Sequence, residues 1–103
     1  MLNSNSLFEL GEIVEILMGR AKGHYAVVLN KVDERYVLIA DGDKRKFDNQ
    51  KRKNVRHIRS TGYISKEIIE DIKESRRVSN AKLRYVLKDF ISRHLNKETM
   101  KGE

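Results

Sequence analysis

Basic side chains are concentrated in one short part of this sequence, and the chemistry they offer is the binding of anions. The 103-residue chain has 22 Lys and Arg against 15 Asp and Glu, a net charge of +7. Residues 44–59, which we call the basic stretch, contain eight basic residues and a single acid, Asp48, so this stretch alone carries a charge of +7. Because a solvated surface normally mixes both signs, this clustering predicts a polyanionic partner, RNA or DNA. The alternative is a flexible basic loop with no fixed partner.

A second group suited to phosphate lies earlier, in a loop hinged by glycines. Gly19 and Gly23 flank the basic residues Arg20 and Lys22. Glycine adopts positive φ and lets another backbone approach closely, so this segment is predicted to be a loop between two strands. A basic, glycine-hinged loop carried by a small sheet has a suitable shape for contacting a phosphate backbone, although the same pattern also describes an ordinary surface loop.

No pattern of residues predicts catalysis or a metal site. The three histidines lie far apart in the chain, without the spacing of metal ligands. The acids around Asp41 lack the regular spacing and closing glutamate of a calcium loop. Neither a nucleophile elbow nor a glycine-rich nucleotide loop is present. We therefore expect no enzyme, no cofactor, no metal and no small-molecule substrate.

The composition favours a cytoplasmic protein. The chain has no cysteine, so no disulfide framework holds it together. No apolar run approaches the roughly 20 residues that span a bilayer, and the polar first residues do not resemble a signal peptide. Binding to an anionic membrane surface is disfavoured, because the basic stretch lacks an amphipathic helical pattern.

The first 60 residues favour short strands separated by turns. Alternating or continuous apolar residues, many of them β-branched, predict five strands at 11–18, 25–32, 35–40, 45–47 and 54–58. Asp33-Glu34 and Asp41-Gly42 provide the intervening turn signals. Five short strands within about 50 residues predict a small bent sheet that closes into a barrel.

The pattern then changes to the period of helices. Ser65 and Ser79 are predicted N-caps, each with a hydrophobic staple around it. Apolar residues at three- and four-residue steps predict one helix to about Arg76 and a second to about Leu95, both packed on the outside of the barrel. The predicted organisation is a polar lead-in, a barrel, a two-helix extension and a flexible tail, at residues 1–9, 10–60, 61–96 and 97–103.

Residues 11–14 (GEIV) and 22–28 (KGHYAVV) together resemble a KOW motif, in which a basic glycine loop joins two apolar strands. KOW modules are similar to SH3-like β-barrels and occur in large-subunit ribosomal proteins and in transcription elongation factors. Ala26 occupies a position where the motif often has glycine. Alanine there is similar to the archaeal and eukaryotic ribosomal KOW proteins, as are the strand and turn at 37–42.

The wider resemblance is to short bacterial KOW-domain RNA-binding proteins, and it covers roughly residues 10–92. It implies an SH3-like barrel followed by two C-terminal helices, and a non-enzymatic protein that binds ribosomal RNA of the large subunit. This resemblance and the charge pattern together imply a set of RNA-binding residues in the loop and in the basic stretch. They are Arg20, Lys22, Gly23, His24, Lys44, Arg45, Lys46, Lys51, Arg52, Lys53 and Arg56.

Two other functions remain open at this point. One is a transcription-linked KOW protein that binds polymerase or nascent RNA. The other is a Tudor-like barrel that recognises a protein ligand through an aromatic cage. The cage would require Tyr25, Tyr36 and Phe47 to be clustered and exposed.

Overall fold

The computed structural model describes residues 8–95. The predicted tail at 97–103 and nearly all of the predicted lead-in lie outside the described residues. The strands are β1 (Glu12–Ile16), β2 (Tyr25–Lys31), β3 (Tyr36–Ala40), β4 (Lys51–Asn54) and β5 (Ile58–Ile64), and the helices are α1 (Lys66–Ser75) and α2 (Asn80–His94). Short 3₁₀ turns cover Phe47–Asn49 and Val55–His57. Neither helix of this described part is long and apolar enough to cross a membrane.

The five strands form one antiparallel sheet in the order β4-β3-β2-β1-β5. This architecture, a β-sheet followed by two helices, confirms the predicted combination of β and α structure. The hydrogen-bonded ladder does not connect β4 to β5 within residues 8–95, so the pairing is that of an open sheet and not of a closed barrel.

The sheet is nevertheless strongly curved. In a flat sheet, β4 and β1 would be separated by three strand spacings, about 14 Å. Yet Lys53 Nζ on β4 donates a hydrogen bond of 2.9 Å to the carbonyl oxygen of Met18, just beyond the end of β1. Leu17 N also donates to His57 O, at 2.8 Å, in the turn that follows β4. The curvature therefore brings the β1–β2 loop next to β4.

Both faces of the central strands are buried, which explains their nearly continuous apolar sequence. One face packs against the helices in a core that includes Ile13, Val27, Leu29, Ala40, Ile68, Val78, Leu83, Val86, Leu87 and Phe90. The opposite face forms a second core from Phe8, Val14, Ile16, Ala26, Val28, Val37, Ile39 and Ile58. The predicted apolar stripe of α2 is thus buried at Leu83, Val86, Leu87 and Phe90, whereas in the predicted stripe of α1 only Ile68 is fully buried and Ile69 and Ile72 are half-buried.

Both predicted helix caps are confirmed. Ser65 Oγ accepts a hydrogen bond from Ile68 N, and Ser79 Oγ accepts one from Lys82 N. Lys82 then joins the two helices, because its Nζ donates to Asp71 Oδ2 at 3.0 Å. That hydrogen bond raises the pKa of Lys82 above its ordinary value, while burial acts in the opposite direction.

The predicted strand at 45–47 is wrong. Asp41 Oδ1 accepts hydrogen bonds from the backbone N–H groups of Asp43 and Arg45, both at 2.9 Å. Phe47 N donates to Asn80 Oδ1 at 2.8 Å. Side chains therefore take the backbone donors that a strand would have used, and they hold this segment as a turn against the start of α2.

The last predicted strand, at 54–58, is shifted. Asn54 Oδ1 accepts a hydrogen bond from Arg56 N at 2.8 Å, which stabilises the 3₁₀ turn Val55–His57 where the strand was expected. The observed strand β5 begins at Ile58 and continues to Ile64. It pairs with β1, with Ile58 opposite Ile16.

Candidate nucleic-acid interface

The β1–β2 loop is a tight turn with its basic side chains exposed. Gly19 and Gly23 have φ of +100° and +91°, the conformation that their types predicted. Gly23 N donates to Ile16 O at 2.8 Å, and His24 N donates to Ala21 O at 2.9 Å. These two N–H groups are therefore already used within the loop.

This internal bonding limits what the predicted site residues of the loop can do. Because their N–H groups are occupied, Gly23 and His24 cannot donate those protons to a phosphate without breaking the turn. The exposed side chains of Arg20 and Lys22 remain the loop's cationic groups. Gly23 has nothing within 4 Å of the position of a Cβ atom, so this part of the loop surface is open.

Strand β4 presents basic side chains on both of its faces. Lys51 and Lys53 are paired with Ile39 and Val37, so they lie on the face of the second core. Lys53 extends across to Met18. Arg52 lies on the opposite face, where its guanidinium is 4.7 Å from the centre of the Tyr36 ring.

Two hydrogen bonds bring together the segments that carry five of the predicted residues. The Lys53–Met18 and Leu17–His57 hydrogen bonds join the β1–β2 loop to β4 and to the 3₁₀ turn that follows it. We call this surface the basic face; it consists of Arg20, Lys22, Lys51, Lys53 and Arg56.

The remaining basic residues have other surroundings. Arg45 Nη1 donates to Asn49 O at 3.4 Å, and Lys46 Nζ donates to Asp43 O at 3.2 Å, so both bond within their own loop. Lys44 is exposed in the same loop. This loop is held against α2, and no hydrogen bond among the described residues joins it to the basic face.

The charge of the basic face is not compensated by nearby acids. None of the ion pairs within the described part of the chain includes any basic residue of the predicted site. Arg59 is the exception within the basic stretch: its Nη2 lies 2.6 Å from Glu15 Oε1. The hydrogen bond to Glu15 raises the pKa of Arg59. The positive charge of Arg59 is therefore balanced by the Glu15 carboxylate. The charge count from sequence missed this pairing, because Glu15 is 44 residues away.

The aromatic residues required for a Tudor-like cage are not assembled. Tyr25 packs against Phe90, with ring centres 5.7 Å apart. Tyr36 lies under Arg52, and the Phe47 ring is 4.9 Å from the guanidinium of Arg77. Among the rings of residues 8–95, Tyr25, Tyr36 and Phe47 do not contact one another.

Comparison with known proteins gives the relationships of the chain. No family model matches it. The Bacillus subtilis protein named "Putative ribosome-binding protein YbzG" is 31% identical over 71 residues, which cover 69% of this chain and 96% of that protein. The chain belongs to the YbzG family. The large ribosomal subunit protein eL14 of Pyrobaculum arsenaticum is 36% identical over 55 residues, so the match with this second relative spans about half of each protein, 53% in both cases.

Proposed function

We propose that this protein is a non-enzymatic RNA-binding protein that associates with the ribosome and contacts ribosomal RNA of the large subunit. The observation that carries the proposal is the basic face, on which cations from two separate parts of the chain adjoin without acidic partners. The name of its B. subtilis relative refers to ribosome binding, and eL14 is by name a large-subunit protein. Both relationships favour the ribosome over other polyanions.

The fold supports an SH3-like KOW module as the carrier of this face. The five short antiparallel strands, with β1–β4 as a meander and β5 paired with β1, are compatible with such a module. The curvature that places Lys53 against Met18 favours a barrel-like arrangement, although the ladder is not closed among the described residues. In this proposal the β1–β2 loop is the KOW loop.

Binding would use the two arms of the basic face as a clamp on the phosphate backbone. Arg20 and Lys22 approach from the loop, while Lys51 and Arg56 approach from β4 and the following turn. Lys53 keeps the two arms together, and its ammonium group has three donors, so its bond to Met18 leaves others for a phosphate. Lys44, Arg45, Lys46 and Arg52 add flanking charge. Such contacts position a structured RNA, and shape and 2′-hydroxyl groups provide recognition.

Binding to structured RNA is expected to weaken steeply with salt. If about five phosphates are neutralised, log K falls with log salt with a slope of about −3.5 to −4.5. Replacing Lys22, Lys51 and Arg56 with alanine should reduce the magnitude of that slope by about 2–3. Fluorescence anisotropy over a salt series measures it. Protein stability should change little, because these charges are exposed.

The matched control removes the same charge from another surface. Lys66, Lys73 and Lys88 are exposed lysines on α1 and α2. Their triple alanine variant should retain the slope of the unmodified protein. An equal loss of slope in the two triple variants would mean that net charge, and not the basic face, controls binding, and would contradict the proposal.

The ribosomal part of the proposal is tested by sedimentation. In a sucrose gradient of a cell lysate at low salt, the protein should appear with the large subunit and the intact ribosome, and high salt should release it. Ribonuclease treatment should also move it to the top of the gradient. Co-sedimentation with RNA polymerase would instead support a transcription-linked protein. Material that stays at the top of the gradient at low salt would contradict ribosome association.

A further inference from the structure

An open cleft of about 380 Å³ lies beside the last turn of α2, and the proposed function leaves it unexplained. Its lining includes the aromatic rings of Tyr25, Tyr63, Phe90 and His94. The volume lies within the range of about 300–1,000 Å³ that is typical of ligand-binding clefts. The sequence contained a partial signal for it, because Phe90 and His94 are four residues apart and therefore share one face of α2.

The four rings form a cluster of tilted rings, which we call the aromatic platform, and two of them are exposed. Phe90 is buried and supports the others, with its ring centre 5.7 Å from Tyr25, 5.8 Å from Tyr63 and 4.9 Å from His94. Tyr63 is 38% exposed, and His94 is also exposed. The Tyr63 and His94 ring centres are 5.5 Å apart and their planes are inclined at 51°, so a flat ligand can stack on one of these rings but cannot lie flat on both or insert between them.

A fixed polar pair lines the same cleft. Arg59 and Glu15 are held together by their 2.6 Å hydrogen bond, through Arg59 Nη2 and Glu15 Oε1. A guanidinium has five N–H donors and a carboxylate has two oxygen acceptors, so both groups keep hydrogen-bonding capacity after they pair. An aromatic platform next to a fixed donor and acceptor matches the flat face and the polar edge of a nucleotide base.

The position of the cleft connects it with the basic face. Tyr25 directly follows the β1–β2 loop in the chain, and Arg59 is three residues after Arg56. Glu15 is paired with Tyr25 and with Arg59 at this end of the sheet. This group lies on the helix side, where Tyr25 packs against Phe90, whereas Lys51 and Lys53 lie on the opposite face. An RNA strand that contacts both sites would therefore pass around the β1–β2 loop, where Arg20 and Lys22 are exposed. A methylated ammonium group is a less suitable ligand, because Glu15 is already paired and the Arg59 cation would repel it.

We propose that the cleft binds one unpaired base of the RNA, stacked on Tyr63 with its edge towards Arg59 and Glu15. This inference rests on the proposed function, because the base in the cleft would belong to the same RNA whose phosphates contact the basic face. It predicts that the protein prefers RNA with an unpaired base over fully paired RNA of equal charge. Base–aromatic stacking is sequence-tolerant, so no particular base is required.

The test compares three tyrosine variants with two RNA probes. Tyr63→Leu removes the platform ring, Tyr63→Phe keeps it, and Tyr85→Leu removes an exposed tyrosine, 56% accessible, that does not line the cleft. The probes are a hairpin RNA whose loop is replaced by a linker without bases and whose stem has one bulged nucleotide, and the same hairpin with an abasic residue in place of that nucleotide. Affinities are measured at one salt concentration, and thermal melts verify that each variant is folded.

We expect the unmodified protein, Tyr63→Phe and Tyr85→Leu to bind the hairpin with the base about tenfold more tightly than the abasic hairpin. Tyr63→Leu should bind the two hairpins equally. Equal binding of both probes by the unmodified protein would overturn the cleft proposal and leave the proposed function standing. Failure to bind either probe, also when the measurement is repeated at low salt, would overturn the proposed function as well. Displacement of the RNA by a trimethyllysine peptide in the unmodified protein, but not in Tyr63→Leu, would also overturn the base-binding proposal, by assigning the cleft to a protein ligand.

Discussion

Gly42→Ala is expected to lower the free energy of unfolding by about 2–6 kcal/mol, from backbone strain and from overpacking together. Gly42 has φ of +80°, a conformation that side chains with a Cβ atom rarely adopt. A Cβ atom there would also meet the backbone oxygen of Asn80, and it would lie 2.9 Å from Leu83 Cβ and 3.1 Å from Arg84 Cγ. Asn80 and Leu83 belong to the first turn of α2, which cannot shift without disturbing the core.

The matched control is Gly23→Ala. Gly23 also has positive φ, +91°, but nothing lies within 4 Å of the position of its Cβ atom. Only the strain contributes there, so we expect a loss of about 1–3 kcal/mol. Urea denaturation of both variants measures the difference. Equal losses would show that the turn after β3 is not held against α2 as the structure describes.

Phe90→Ala is expected to cost about 3–5 kcal/mol, because it removes a large buried ring. Phe90 is 6% exposed and belongs to the core between the sheet and the helices. It also contacts Tyr25 and Tyr63, so its loss would leave the aromatic platform unsupported. Denaturation measured by circular dichroism gives the change in stability.

The control for Phe90 lies on the same helix. Tyr85→Ala removes an exposed ring from α2 and should change stability by about 0.5 kcal/mol or less. Hydrogen exchange supplies an independent measurement, since amides from residues 83 to 91 should exchange slowly if the helix is packed on the sheet. A loss below about 1 kcal/mol for Phe90→Ala, together with rapid exchange, would indicate that the helices do not stabilise the sheet and are available to another partner.

Local chemistry was sufficient to predict most of the elements. Ser65 and Ser79 were recognised as caps because their hydroxyl groups accept hydrogen bonds within a few residues. The first three strands followed from runs of apolar residues. The failure at 45–47 has a local cause in the Asp41 carboxylate and also a non-local one, because Asn80, 33 residues later, accepts the hydrogen bond from Phe47 N. Local patterns contain no information about such a partner.

The same distinction applies to the candidate site. Charge clustering identified the basic stretch, but it could not show that Glu15 compensates Arg59, or that Arg52 and Lys53 lie on opposite faces of β4. The curvature that joins β4 to the β1–β2 loop depends on packing across the whole sheet. The aromatic cleft was missed for a similar reason, because β5 extends further than predicted and carries Tyr63 to the end of α2.

The two-sided burial of the sheet determines how small a working fragment can be. All residues of the basic face precede residue 57, so a truncated chain that ends after β5 would still contain every one of them. In such a chain, Ile13, Val27 and Leu29 would lose the helices that cover them. Each large apolar side chain left in water costs about 1.5–3 kcal/mol, and two truncated molecules would reduce that cost by joining through their bare faces. The smallest autonomous RNA-binding unit therefore extends through α2, although neither helix supplies a residue to the basic face.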